Sequence, residues 1–126
     1  VDFTSTAISL NVAAPRASAD FFQRCLDFTV EMEQDDSFIS LRHPSGGPNV
    51  IFLQTGLATF KPSHRSGSAG EGLLLVFVVD DVDAAHADLV SRGAGVITEP
   101  ETEPWGERFS QYEDPNGIII QLVQWT

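Results

Sequence analysis

One order of elements occurs twice in this chain, and that repetition limits the fold more than any single motif. Thr6-Ala7-Ile8-Ser9-Leu10-Asn11-Val12 alternates strictly. Ile8, Leu10 and Val12 therefore face one way and Ala7, Ser9 and Asn11 the other, as in a strand with two different faces. Pro15 and Ser18 mark a helix start, and Ala19, Phe22, Cys25 and Leu26 fall on one helical face. Three strands follow: Phe28 to Glu33, Phe38 to Arg42 after the Asp35-Asp36 turn, and Asn49 to Gln54 after the loop Pro44-Ser45-Gly46-Gly47-Pro48. A connector, 56–72, is rich in Gly, Ser and Pro and long enough to have a role of its own.

The order then recurs. Leu73 to Val79 is a strand. Asp80-Asp81-Val82-Asp83 opens a helix, with acids at its positive end, an apolar face of Val82, Ala85, Leu89 and Val90, and Gly93 as its left-handed cap. Gly95 to Thr98 is a short strand, Pro100 and Pro104 bound an acidic loop, and Arg108 to Glu113 is a strand. The tight turn Asp114-Pro115-Asn116-Gly117 leads to a last strand, Ile118 to Trp125. Strand, helix and three strands thus occur twice, at an offset of 67 residues from Val12 to Val79. The expected fold class is α+β: two βαβββ modules forming a curved mixed sheet around a ligand groove. With 126 residues the chain reads as a single domain, with module 1 over 6–55, the connector over 56–72 and module 2 over 73–126.

Composition narrows the function classes. The net charge is −11, with only 7 basic residues, which argues against nucleic acid, because phosphate binding needs clustered Lys and Arg. An acidic surface instead favours a cationic ligand by long-range attraction. One cysteine, Cys25, permits no intramolecular disulfide and no Cys-rich metal site. No apolar run approaches the ~20 residues of a membrane span, and the N-terminus does not read as a signal peptide. The expected localisation is cytoplasmic, without a membrane partner.

Several motifs resemble those of the glyoxalase/bleomycin-resistance (vicinal oxygen chelate) superfamily. They are Ser9-Leu10-Asn11-Val12, Ser18-Ala19-Asp20-Phe21-Phe22 and Leu26-Asp27-Phe28, where Asp27 replaces the usual glycine. The second half adds Val79-Asp80-Asp81-Val82-Asp83-Ala84, Arg92-Gly93-Ala94, Pro104-Trp105-Gly106-Glu107-Arg108-Phe109 and Glu113-Asp114-Pro115-Asn116-Gly117. The last two are the most specific. In character the chain looks closest to the bleomycin-resistance type of binding protein.

The resemblance implies where a metal would be held. Enzymes of the superfamily use four groove side chains, typically His or Gln, Glu, His and Glu, on the first and last strands of each half. Those positions fall here at Ala7, Phe52, Leu74 and Gln121. Ala, Phe and Leu have no donor atom, and a hard cation needs oxygen or nitrogen. His43, His64 and His86 offer no second ligand at useful spacing. The expectation is no metal and no cofactor.

A groove without a metal reads as a binding cavity, apolar with a few orienting polar groups. By the resemblance, Trp105 stacks on a planar ligand and Phe38 matches a second groove aromatic. Phe52, Leu74 and Phe109 supply apolar wall, and Ser9, Asn11, Gln54 and Gln121 supply donors and acceptors. The first reading is a protein that sequesters a bulky, partly aromatic natural product or antibiotic, for resistance or self-protection. The alternative is a metal-independent enzyme, a lyase or isomerase, acting on a small metabolite; it needs a general base, for which Glu113 and His43 are the candidates. Metal-dependent lyase or dioxygenase activity ranks last. The resemblance also implies a homodimer, with a small molecule, aromatic and cationic, as the other partner.

Overall fold

A computed structural model describes residues 1–126. It contains β1 (Ala7–Val12), α1 (Pro15–Leu26), β2 (Thr29–Gln34), β3 (Phe38–Arg42), β4 (Asn49–Gln54), β5 (Leu74–Val78), α2 (Val82–Ser91), β6 (Gly95–Glu103), β7 (Glu107–Glu113) and β8 (Ile119–Trp125). The strand, helix and three strands expected from the sequence are present twice. Each set forms a four-stranded mixed sheet, in the orders β1-β4-β3-β2 and β5-β8-β7-β6, with the first strand parallel to the last. The chain divides into two compact units, Val1–Gly70 and Glu71–Thr126. The boundary falls inside the connector, most of which packs with the first unit. No helix is long and apolar enough to cross a membrane.

In the first unit, Pro15 sits in the first turn of α1, where its missing N–H costs nothing. Ala19, Phe22 and Cys25 are buried from this helix, as the periodicity requires, joined by Phe21. Asp27 ends the helix at φ 62°, a left-handed residue whose N–H donates to the Phe22 carbonyl. That geometry explains why glycine suits this position: it is the residue without a Cβ penalty there. Beneath α1 the sheet contributes Leu10, Val12, Ile39, Leu41, Val50 and Phe52. Phe22 meets Phe28 and Phe52 edge to face, with ring centroids 5.2 and 5.1 Å apart.

The second unit repeats the plan with different chemistry. Asp81 caps α2, its carboxylate accepting the Ala84 N–H at 3.1 Å. Val82 and Leu89 are buried, whereas Val90, expected on the same face, is exposed. Polar groups tie the helix to the sheet. The Gln124 Oε1 accepts the Val82 N–H at 2.9 Å. Arg108 donates to both Asp83 carboxylate oxygens at 2.9 and 2.7 Å. The His86 Nε2 lies 2.9 Å from Glu99, its Nδ1 is hydrogen bonded to the Tyr112 hydroxyl at 2.7 Å, and that hydroxyl meets Ser110 Oγ at 2.8 Å.

One element departs from expectation. The strand read as Gly95 to Thr98 continues through Pro100 to Glu103, where an acidic loop was expected. Pro100 is tolerated because β6 is an edge strand whose ladder with β7 is interrupted between Thr98 and Glu101. A residue without an N–H removes nothing there.

Candidate functional site

Strand pairing assigns each candidate residue to a face. In the first unit Ser9 pairs with Ile51, Asn11 with Leu53, and Leu53 with Phe38. Ser9, Asn11 and Phe38 therefore share the face directed away from α1, together with Ile51 and Leu53. Phe52 and Gln54 do not. Expected beside Ser9 and Asn11, they belong to the opposite face; Phe52 is 0% exposed under α1, and Gln54 is exposed at the strand end. The reason is local. Val50-Ile51-Phe52-Leu53 is apolar throughout, so its sequence carries no alternation that could fix the face.

This correction changes one metal position without rescuing the site. The β4 residues on the face away from α1 are Asn49, Ile51 and Leu53. The central ones, Ile51 and Leu53, are again without a donor atom. Ala7 and Leu74 stand at the corresponding places on β1 and β5, so Gln121 is left with no partner ligand. Nowhere do three or more His, Cys, Asp or Glu side chains come close enough to share an ion. The residues present do not fit the four-ligand divalent centre that the sequence resemblance implied.

In the second unit, the face away from α2 carries Leu74, Val76 and Val78 of β5, Glu107, Phe109 and Gln111 of β7, and Ile119, Gln121 and Val123 of β8. Across it runs a continuous file of hydrogen bonds. Thr98 Oγ1 donates to Gln111 Oε1 at 2.7 Å, Gln111 Nε2 donates to Gln121 Oε1 at 2.7 Å, and Gln121 Nε2 donates to Glu107 Oε1 at 3.3 Å. The second Glu107 oxygen, Oε2, accepts the Trp105 indole N–H at 2.9 Å. Each amide is thereby oriented by its neighbour, and Gln121 is only 9% exposed. The file is flanked by apolar side chains, of which Leu74 and Val76 are 44% and 49% exposed.

Trp105 lies in the turn joining β6 to β7, which closes with the Gly106 N–H donating to the Glu103 carbonyl at 3.0 Å. Gly106 has φ 90°, and a Cβ there would meet the Thr126 carbonyl oxygen at 3.1 Å. Glycine is required on both grounds. The indole is 68% exposed but fixed by Glu107. The structure thus brings Gln121, Phe109, Leu74 and Trp105 together on one side of the second unit. Sequence reasoning missed Thr98, Glu107 and Gln111. The spacing of Glu107, Phe109 and Gln111, alternating along a strand, was the available signal.

The connector makes a second feature, within the first unit. It folds back beside β1: Asn11 Nδ2 donates to the carbonyls of Arg65 at 2.8 Å and Gly67 at 3.0 Å, and the Ala69 N–H donates to the Asn11 carbonyl at 2.9 Å. Both amide hydrogens of Asn11 are thus spent on the chain itself, leaving Oδ1 for any guest. A pocket of about 310 Å³ results, lined by Ser9, Asn11, Phe60, Arg65 and residues 67–70. Of the two candidate bases, His43 Nδ1 accepts the Ser45 N–H at 3.0 Å and its ring packs on Phe28 at 5.0 Å, a turn-stabilising role. Glu113 is exposed at the end of β7.

Comparison with known proteins bears on this arrangement. The sequence pattern described as "Glyoxalase/Bleomycin resistance protein/Dioxygenase superfamily" matches residues 4–122. No curated protein matches the chain significantly. Among solved structures, a glyoxalase/bleomycin resistance protein/dioxygenase from Nocardioides superposes with TM-score 0.80 at 21% identity, covering 99% of this chain and 85% of that one. TnmS3, an antibiotic binding protein from Streptomyces sp. CB03234, gives TM-score 0.75 at 23% identity, covering 100% and 98%. A lactoylglutathione lyase from Agrobacterium tumefaciens gives 0.76 at 15%, covering 98% and 94%. At these identities the likeness is one of fold.

Proposed function

The chain belongs to the glyoxalase/bleomycin resistance protein/dioxygenase superfamily, and from that premise we propose that it is a metal-free binding protein for a bulky, partly aromatic small molecule, of the natural-product or antibiotic class. The fold does not choose, since an antibiotic binding protein and a lyase both share it. The side chains favour binding. The observation that carries the reading is Trp105, an indole left 68% exposed and yet held in place by Glu107. A fixed aromatic plane loses little freedom when a planar guest stacks on it, and stacking adds about 0.5–1.5 kcal/mol beyond area burial. Phe109 and Leu74 extend the apolar surface, and Gln121 offers an oriented amide. The Glu107 carboxylate, close to Trp105 and Gln121, favours a cationic guest at short range.

Titration followed by tryptophan fluorescence tests the proposal. In a Trp125→Phe background, which leaves Trp105 as the sole tryptophan, a panel of aromatic antibiotics including bleomycin is expected to yield saturable quenching by at least one member. Trp105→Ala is expected to abolish binding as measured by equilibrium dialysis, and mass spectrometry is expected to recover the ligand unchanged. Conversion of the ligand would instead support the metal-independent enzyme, and a panel that binds nowhere refutes the antibiotic reading. The same reading includes a homodimer, for which sedimentation at micromolar concentration is the check.

A further inference from the structure

The connector reverses the electrostatics of the chain. From Thr55 to Gly70 there is no aspartate or glutamate, while Lys61, His64 and Arg65 fall within five positions. Elsewhere the cations are mostly neutralised: Arg16 pairs with Glu33 and Asp36, Arg92 with Asp88, and Arg108 with Asp83. Arg65 has no carboxylate partner and no side-chain hydrogen bond. It lines the pocket of about 310 Å³ beside β1, which lies at the lower end of small-molecule sites.

The remaining lining has a consistent character. Phe60 supplies an aromatic surface, and Ser9 and Ser68 supply hydroxyls. The backbone N–H groups of Gly67, Ser68 and Gly70 donate to no protein acceptor, whereas that of Ala69 is used to hold the segment on Asn11. Asn11 and the Gly56 N–H, which donates to the Ser66 carbonyl at 2.8 Å, fix the path of the segment from inside the unit. Free donors, a guanidinium and an aromatic ring on a pinned loop make a site for an anion with an organic body. The acidic net charge does not oppose this strongly, because at physiological salt charges farther than about 8 Å are largely screened.

We propose that this pocket binds a small organic oxyanion, a carboxylate or phosphate ester carried on an aromatic or alkyl group. Arg65 pairs with the oxyanion, the free amides of Gly67, Ser68 and Gly70 donate to it, and Phe60 covers its body. The proposal does not rest on the reading given for Trp105, which belongs to the other unit.

The test is amide NMR of the ¹⁵N-labelled full chain with three probes: phenyl phosphate, phenylacetate and benzyl alcohol. Both anions are expected to shift the amide resonances of Ser68, Ala69 and Gly70, and the neutral alcohol at equal concentration is not. Arg65→Gln is expected to weaken anion binding at least about fivefold, with Arg65→Lys retaining most of it. Asn11→Ala, which frees the connector, is expected to weaken both anions. Tighter binding of phenyl phosphate identifies phosphate esters as the preferred class, and tighter binding of phenylacetate identifies carboxylates. Equal shifts from benzyl alcohol, silent connector amides, or an Arg65→Gln titration matching the parent would each overturn the proposal. Trp105→Ala is expected to leave these titrations unchanged, so failure here and failure at the tryptophan are read separately.

Discussion

Replacing Phe52 by alanine tests the strand register on which the face assignments rest. Phe52 is fully buried beneath α1, and its ring meets Phe22 edge to face at 5.1 Å and 73°. Burial of a phenylalanine side chain contributes about 1.5–3 kcal/mol. The edge-to-face pair adds about 0.5–1.5 kcal/mol, and the cavity left behind adds its own cost. The expected loss is therefore about 3–5 kcal/mol, a large part of the ~5–15 kcal/mol that stabilises a typical domain. Ile51→Ala, one position earlier on the half-exposed face, is expected to cost about 1–2 kcal/mol. Urea denaturation followed by far-ultraviolet circular dichroism measures both, with the slope compared to confirm that the denatured state is unchanged. Phe52→Leu covers the case in which the alanine variant does not fold. A cost below about 1 kcal/mol for Phe52→Ala, with Ile51→Ala the more damaging, would mean that β4 presents its other face to α1.

Two further expectations follow from the second unit. Tyr112→Phe removes the hydroxyl shared by His86 and buried Ser110 and is expected to cost about 1–3 kcal/mol by urea denaturation, much of it recovered when Ser110 is also replaced by Ala. Burial holds the Tyr112 phenol above its ordinary pKa, so its stabilising contribution is complete below about pH 10 and is lost as pH rises through the raised value. Tyr112 is the sole tyrosine, so phenolate absorbance reports it alone. The Arg108 guanidinium, by hydrogen bonding, holds the Asp83 carboxyl below the usual carboxylate range. Its contribution is present above about pH 4 and declines as pH falls through the lowered value, and denaturation series at neutral and acid pH are expected to show a shallower decline for Arg108→Gln.

The parts of the fold legible in the sequence were those with a two-sided pattern. β1 alternates, and its faces were assigned as the structure has them. The Asp-Pro-Asn-Gly turn and the proline at the start of α1 are local signals, set by φ preferences that act within a few residues. β4 was different, since four apolar residues in a row leave the face to be decided by packing against Phe22. β6 ran past Pro100 because an interrupted edge ladder makes the usual strand breaker harmless. Within the candidate site, Trp105, Phe109 and Gln121 were legible as residue types at resembling positions. Glu107 and Gln111 were not: their alternation with Phe109 places them on one face, but the hydrogen bonds across three strands that give them their significance depend on the pairing of those strands. Arg65 was not legible for a similar reason: that it lines a pocket and lacks a carboxylate partner is visible only in three dimensions.

The parallel pairing of β1 with β4 has a consequence for how each unit is assembled. Ala7 finds its ladder partner at Asn49, and Leu74 finds its own at Ile119. A hairpin can close as soon as its turn is made, but this pairing waits for the whole intervening helix and two strands, and such long-range closure slows folding. A nascent chain on the ribosome therefore leaves its first strand unpaired until the fourth emerges, and a fragment cut at Pro48 has no way to satisfy β1. In each unit the first strand is the last to find a ladder partner, because its sole neighbour in the sheet is the last strand to be made.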